Sequence, residues 1–178
     1  MAVKAILKLS GEDPNRDGLK DTPSRVAKMY QELFSSIGKE PPEMTTFINE
    51  GYDEMICETD IHFSSVCEHH LLPFIGKVHI AYLPKKKIVG LSKLARVVDY
   101  YSHKPQVQER MTQEIMDYLH KTLQPHGLIV MVEAEHLCMS IRGIKKPRHN
   151  TVTTALKGSI DKNEFLKTLQ FTRKAYIT

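Results

Sequence analysis

The sequence predicts an α+β fold: a four-stranded antiparallel sheet with helices on one face, preceded by an N-terminal helical segment. Three observations predict it. Four stretches, 55–66, 74–83, 128–142 and 151–157, read as strands, with apolar and polar residues alternating along them and, in 128–142, through the second half. Between the second and third of these, residues 90–123 switch to helical spacing, with an interruption at His103-Lys104-Pro105. The turn between the first two strands is short, so they should pair as an antiparallel hairpin. The order is two strands, two helices, two strands. Residues 1–50 form the helical segment and a connection, 51–178 the core, in one structural domain overall. Such a sheet leaves two open edges, and pairing them with neighbouring subunits would close a barrel, which favours a homo-oligomer.

The elements follow in order. Val3 to Leu9 is a weakly amphipathic fragment, the end of a helix. Gly11 to Asp21, rich in Asp, Asn, Gly and Pro, is a loop. Thr22-Pro23 reads as an N-cap with proline at the first helical position. Val26, Met29, Tyr30, Leu33, Phe34 and Ile37 then recur at helical spacing up to Gly38. Lys39 to Gly51 is a connection. In the first strand Met55, Cys57, Ile61 and Phe63 share one face and Glu58, Asp60, His62 and Ser64 the other. Cys57 thus reads as a buried small hydrophobe, not a ligand. In the second strand Val78, Ile80 and Tyr82 alternate with Lys77 and His79.

Pro84 and the three lysines after it make an exposed connection. Ser92 is the expected N-cap of a helix with Leu94, Val97, Val98 and Tyr101 on its apolar stripe. A second helix over 106–123 buries Val107, Met111, Ile115, Tyr118 and Leu119, with Gln108 and Glu109 on its first turn. Leu128 to Arg142 reads as one long strand, Lys145 to Asn150 as a basic loop, and Thr151 to Lys157 as the last strand. Asp161 with Glu164 suggests a capping box for a terminal helix that packs Phe165, Leu166 and Leu169.

Composition excludes some classes of protein. A chain of 178 residues with 41% apolar and 26% charged residues is an ordinary globular one, long enough to bury a core. The net charge of +4 suits an anionic small molecule or a nucleic acid and does not separate them. No apolar run approaches the roughly 18 residues of a membrane span, and Met1 to Leu9 lacks a signal-peptide core and cleavage site. The expectation is a cytoplasmic protein. Three cysteines, an odd number, argue against a disulfide framework and leave thiols for a metal.

The chemistry concentrates in two stretches, Cys67-Glu68-His69-His70 and Glu135-His136-Leu137-Cys138. Cys67 and His70 offer sulfur and nitrogen donors on one tight turn, and Cys138 could complete the set from a distant segment. Three protein ligands with an open fourth position are the arrangement of a catalytic zinc. His69 and His136 are expected beside that position, moving protons. On the long strand, His136, Cys138, Ser140 and Arg142 would share one face, neighbours about 6.6 Å apart. Lys93 and Arg96 near a helix start suit a bound anion, or else an indifferent surface helix. Arg25 and Lys28, three apart, share a polar face that by pattern alone is solvated.

Together these motifs resemble the GTP cyclohydrolase I family, of the tunnelling-fold class. The motifs are Gly11-Glu12-Asp13-Pro14; Thr22-Pro23 with Arg25 and Ala27-Lys28-Met29-Tyr30; Cys67-Glu68-His69-His70; Gly76-Lys77; Gly90-Leu91-Ser92-Lys93 with Arg96; Pro105-Gln106-Val107-Gln108-Glu109-Arg110; and Glu135-His136-Leu137-Cys138 with Arg142. The resemblance implies hydrolytic opening of the GTP purine at C8, release of formate, an Amadori rearrangement, and reclosure to 7,8-dihydroneopterin 3'-triphosphate. It implies zinc held by Cys67, His70 and Cys138, activating water. It makes His69 and His136 general acid and base, a role suited to imidazole, and places Ser92 at the ribose and triphosphate end. Glu109 would anchor the guanine edge with Gln108 beside it. Lys93, Arg96 and Arg142 would hold the triphosphate, joined by Arg25 and Lys28 from a neighbouring subunit. The implied assembly is a toroidal homodecamer with sites at subunit boundaries, and no nucleic acid or membrane partner. Family members often carry a longer arm before the Gly11 segment, which ten residues precede here.

Two other readings compete. A nitrile reductase of the same fold class would use a cysteine nucleophile and need NADPH. A structural zinc domain would use His69 or His136 as a fourth ligand.

Overall fold

The computed structural model describes residues 2–175. In chain order the elements are α1 (Ala2–Leu9), α2 (Thr22–Leu33), β1 (Thr46–Ile48), β2 (Ile56–Cys67), β3 (Pro73–Leu83), β4 (Lys87–Val89) and α3 (Leu91–Ser102). They continue as β5 (Pro105–Gln106), α4 (Gln108–Leu123), β6 (Gly127–His136), α5 (Leu137–Ser140), β7 (Thr151–Gly158) and α6 (Lys162–Ala175). The expected order of two strands, two helices and two strands is present as β2, β3, α3, α4, β6 and β7.

The sheet has five strands rather than four, in the order β5-β2-β3-β6-β7. The long pairs are antiparallel, β2 with β3, β3 with β6, and β6 with β7. The added strand is short. After α3 the chain runs back beside β2, and Pro105 and Gln106 pair in parallel with Val66 and Cys67. A separate two-stranded ribbon joins β1 to β4 inside stretches expected to be irregular.

Helices cover both faces of this sheet, which corrects the one-faced expectation. On one face Val78, Ile80 and Tyr82 of β3 and Leu128, Val130 and Val132 of β6 meet Leu94, Val97 and Val98 of α3 and Met111, Ile115 and Leu119 of α4. On the other, Ala81, Ile129 and Met131 pack under Phe165 and Leu169 of α6. The signal was in β6: its unbroken run Leu128-Ile129-Val130-Met131-Val132 is that of a strand buried on both sides. The Asp161 cap is present, its Oδ1 accepting the Asn163 and Glu164 N–H groups at 2.7 and 3.4 Å.

A bulge in β2 corrects a second expectation. The β2–β3 register shifts between Glu58 and Ile61, with Asp60 at φ 57°. The extra residue moves Met55 and Cys57 to the α6 face, while Ile61 and Phe63 face α3 and α4. The bulge is held by the Asp60 N–H donating to His79 Nδ1 at 3.1 Å and by Lys77 Nζ donating to Asp60 Oδ1 at 2.5 Å. Cys57 is half-buried as expected for a small hydrophobe. Burial, helped by nearby Glu164, pushes its thiol up to about 11, so it stays protonated at neutral pH.

Helix starts fall one or two residues from their expected places. Asp21, not Thr22, precedes α2, and Gly90, not Ser92, precedes α3; neither supplies a side-chain cap. The α2 helix ends at Leu33, with turns carrying the chain on to Gly38 at φ 73°. Among the described residues no helix is long and apolar enough to cross a membrane.

Candidate active site

The first half of the site is the turn that closes the β2–β3 hairpin. Val66 pairs with Pro73, so the turn must reverse the chain between them. It does so through the Cys67 N–H donating to Leu72 O at 2.9 Å and the Leu71 N–H donating to Cys67 O at 2.8 Å, with Leu71 left-handed at φ 53°. That tight reversal brings His70 Nδ1 to 3.7 Å from Cys67 Sγ and His69 Nδ1 to 3.8 Å from the same sulfur.

The second half lies where β6 stops, and here the long-strand expectation is corrected. The strand ends at His136, and Leu137–Ser140 forms one helical turn. The cause is a lack of partners. His136 pairs with Phe74, near the start of β3, and β7 reaches only as far as Ala134. Beyond that point no ladder remains among the described residues, and the backbone closes on itself, the Ile141 N–H donating to Leu137 O at 3.1 Å. Ser140 Oγ donates to Glu135 Oε1 at 2.5 Å, tying the turn to the strand. Cys138 and Arg142 therefore do not share a strand face with His136. The helical turn swings Cys138 instead to the hairpin, where the donor atoms of Cys67, His70 and Cys138 all lie within 4.8 Å of one another.

Two sulfurs and an imidazole suit zinc. Tetrahedral zinc, with Zn–S about 2.3 Å and Zn–N about 2.0–2.1 Å, sets neighbouring donors roughly 3.5–3.8 Å apart, close to the separation between Cys67 and His70. His69 stands outside the three-donor group. Burial, and then the neighbouring Cys67 thiol, push the Cys138 thiol up from its ordinary value.

His136 is held on three sides. Its ring lies flat on Phe74, with centroids 4.6 Å apart and planes 2° apart. Its backbone N–H donates to His149 Nε2 at 3.4 Å. Its Nε2 donates to Gln108 Oε1 at 2.9 Å. The direction of that last bond is fixed by the buried Gln108 amide, whose Nε2 faces three acceptors, Val132 O, Thr151 O and Thr153 Oγ1, at 3.1, 3.0 and 3.1 Å. Only Oε1 is left for the histidine, so Nε2 carries the ring proton and Nδ1 is without a hydrogen-bond partner among the described residues. Burial, and then His149, lower the His136 pKa, against an opposing pull from Glu109.

The remaining candidates are spread more widely. Glu109 is exposed on the first turn of α4 beside Gln108, and Arg142 is exposed in the loop after α5, close enough to act on Cys138. Ser92, Lys93 and Arg96 occupy the first two turns of α3. Arg96 lines a cavity of about 400 Å³ between α3 and the end of α2, which the metal cluster does not border. Arg25 and Lys28 are exposed on α2, Arg25 4.0 Å from Asp21. A larger cavity of about 820 Å³ lies on the opposite sheet face, walled by Asp60, Lys77, Glu133 and Asn150 and by none of the candidate residues. Sequence reasoning missed Phe74 and Thr153. Only the β3–β6 register shows that Phe74 sits across from His136.

Comparison with known proteins agrees with this arrangement. The family profile described as GTP cyclohydrolase I matches residues 1–174. GTP cyclohydrolase 1 of Desulforamulus reducens is 53% identical over 165 residues, 92% of this chain and 88% of that protein. The Streptococcus gordonii protein of the same name is 55% identical over 163 residues, 90% of this chain and 87% of its own length. That of Bacillus subtilis is 53% identical over 159 residues, covering 88% and 84%. The crystal structure of the archaeosine synthase QueF-Like in the apo form aligns with a TM-score of 0.52 at 14% identity, over 62% of this chain and 100% of that one, a likeness of fold alone. With the profile spanning nearly its full length and relatives above half identity, the chain belongs to the GTP cyclohydrolase I family.

Proposed function

We propose that this protein is a zinc-dependent GTP cyclohydrolase I that opens the purine at C8, releases formate and recloses the product as 7,8-dihydroneopterin 3'-triphosphate. The observation that carries the reading is the convergence of Cys67, His70 and Cys138 beside a histidine whose ring is fixed in plane and tautomer. Cys67, His70 and Cys138 hold the zinc, which when bound lowers the pKa of water towards neutrality.

The chain's own residues do the rest. Gln108 occupies the Nε2 proton of His136, so that histidine takes up and returns protons at Nδ1. His69, on the hairpin turn, is the second imidazole and delivers a proton to the opening imidazole ring of the base. Glu109 accepts hydrogen bonds from the donor-rich guanine edge, which an ionised carboxylate suits, with Gln108 beside it in the chain. Ser92 serves the ribose and triphosphate end. Lys93, Arg96 and Arg142 clamp the triphosphate with charge-assisted bonds. Arg25 and Lys28, exposed on α2, reach the clamp of a neighbouring subunit. Both outer sheet edges are available for such an assembly. Among the described residues β7 has a strand partner on one side alone, and β5 covers only the end of β2 on the other. Pairing these edges between copies builds the barrel of a homodecamer with sites at subunit boundaries, working in the cytoplasm.

The direct test is to incubate the purified protein with GTP and follow pterin absorbance and formate together. Formation of both supports the reading; intact GTP in the zinc-loaded protein ends it. The clamp is tested separately. Arg142→Ala should weaken GTP binding roughly ten- to a hundredfold, since hydrogen bonds to charged groups contribute about 1.5–3 kcal/mol, and leave guanosine binding nearly unchanged. Equal losses for the two ligands, measured by calorimetry, would contradict the assignment.

A further inference from the structure

Glu68 lies in the Cys67–His70 turn and Arg110 closes the Pro105–Arg110 motif, yet the reaction proposed above gives neither a role. Their side chains form an ion pair that joins the hairpin turn to the first turn of α4. The guanidinium is itself oriented. Its Nε donates to Gln106 Oε1 at 3.0 Å and its Nη2 to Pro105 O at 3.3 Å. Gln106 in turn is fixed by Nε2 donating to Tyr101 O at 3.0 Å and to Glu114 Oε2 at 2.7 Å, and its carbonyl accepts the Glu68 N–H at 3.0 Å. One planar fork thus grips β5 and Glu68 at once, which a lysine could not do.

We propose that Arg110 and Glu68 are a positioning pair that holds Cys67 and His70 at the spacing the metal requires. Glu68 lies between donors on a turn that begins and ends within six residues, so a small rotation there changes the separation of the donor atoms. The same first turn of α4 presents Gln108 to His136 and bears Glu109. Through Arg110 one rigid element sets the metal turn, the proton carrier and the guanine anchor in a single frame. The pair is 43% and 34% exposed, so solvent screens it and it adds little to global stability. Its work is geometric. The inference rests on the metal reading of the site.

The test is zinc affinity of the full assembled protein, measured by competition with a chromophoric chelator. Glu68→Gln and Arg110→Gln should each weaken zinc about tenfold, the lower range for groups that orient metal ligands. The double variant should lose no more than either single one, because the two act as a unit. Arg110→Lys should fall with the weakened variants. Lys104→Ala, which breaks the neighbouring pair with Glu114, should bind zinc as the parent does. Parent-like affinity in both single variants overturns the proposal. So does a double variant whose loss is the product of the singles, or an equal loss in Lys104→Ala. A parent that takes up no zinc removes the metal reading itself, and the pair's role with it.

Discussion

Cys138→Ser should yield a folded protein without tightly held zinc and without turnover above background. Cys138 is the donor from the second segment, and without it Cys67 and His70 are two ligands from a single turn. Structural zinc sites bind with apparent free energies of about 10–16 kcal/mol. Loss of one donor of three should remove about a third of this, an affinity drop on the order of a thousandfold. The fold should survive, because Cys138 lies on a four-residue helical turn at the margin of the core, and the large buried side chains of β3, β6, α3 and α4 are untouched. Elemental analysis reads the metal and circular dichroism the fold. A Cys138→Ser protein that keeps stoichiometric zinc through dialysis against a chelator would show that the metal is held elsewhere.

His136→Ala separates proton transfer from metal binding. Zinc content should equal that of the parent, since His136 is outside the three-donor group. Turnover should fall about 10²–10⁴-fold, the usual contribution of a positioned acid–base group. GTP affinity should change little, because the ring contacts Phe74 and Gln108 rather than the clamp. Turnover at the parent rate would remove the histidine from the mechanism. A Gln108→Leu companion should show a smaller loss, and nitrogen NMR should find both ring tautomers of His136 populated. Retention of the single Nε2-protonated form there would contradict the orienting role given to Gln108.

Local chemistry was legible in the sequence, and long-range geometry was not. Cys67 and His70 could be paired on paper because a three-residue separation on a turn fixes their distance. The sequence groups Cys138 with Cys67 and His70, and the structure brings the three together, but period two puts it on a strand. The alternation His136, Cys138, Ser140, Arg142 satisfies period two, and only the absence of a ladder beyond Phe74 and Ala134 shows that the strand must stop. Likewise the Asp60 bulge moves Met55 and Cys57 across the sheet without disturbing their spacing. The resemblance puts Gln108 at the site, but the direction of its amide depends on Val132 of β6 and on Thr151 and Thr153 of β7, two strands distant from it in the chain. Glu68 and Arg110 were quoted as motif members, and their partnership emerges only once β5 lies against β2. The packing of α6 on the second face was the one large-scale feature with an unread signal, the unbroken apolar run of β6.

The β3–β6 register has a consequence for how the enzyme matures. Phe74 faces His136 and Gly76 faces Ala134, where a side chain on residue 76 would collide with the Glu133 carbonyl. The glycine therefore permits this alignment of the two strands, which any larger residue at 76 would force apart. Misaligned chains would leave Cys138 stranded away from the hairpin, unable to chelate.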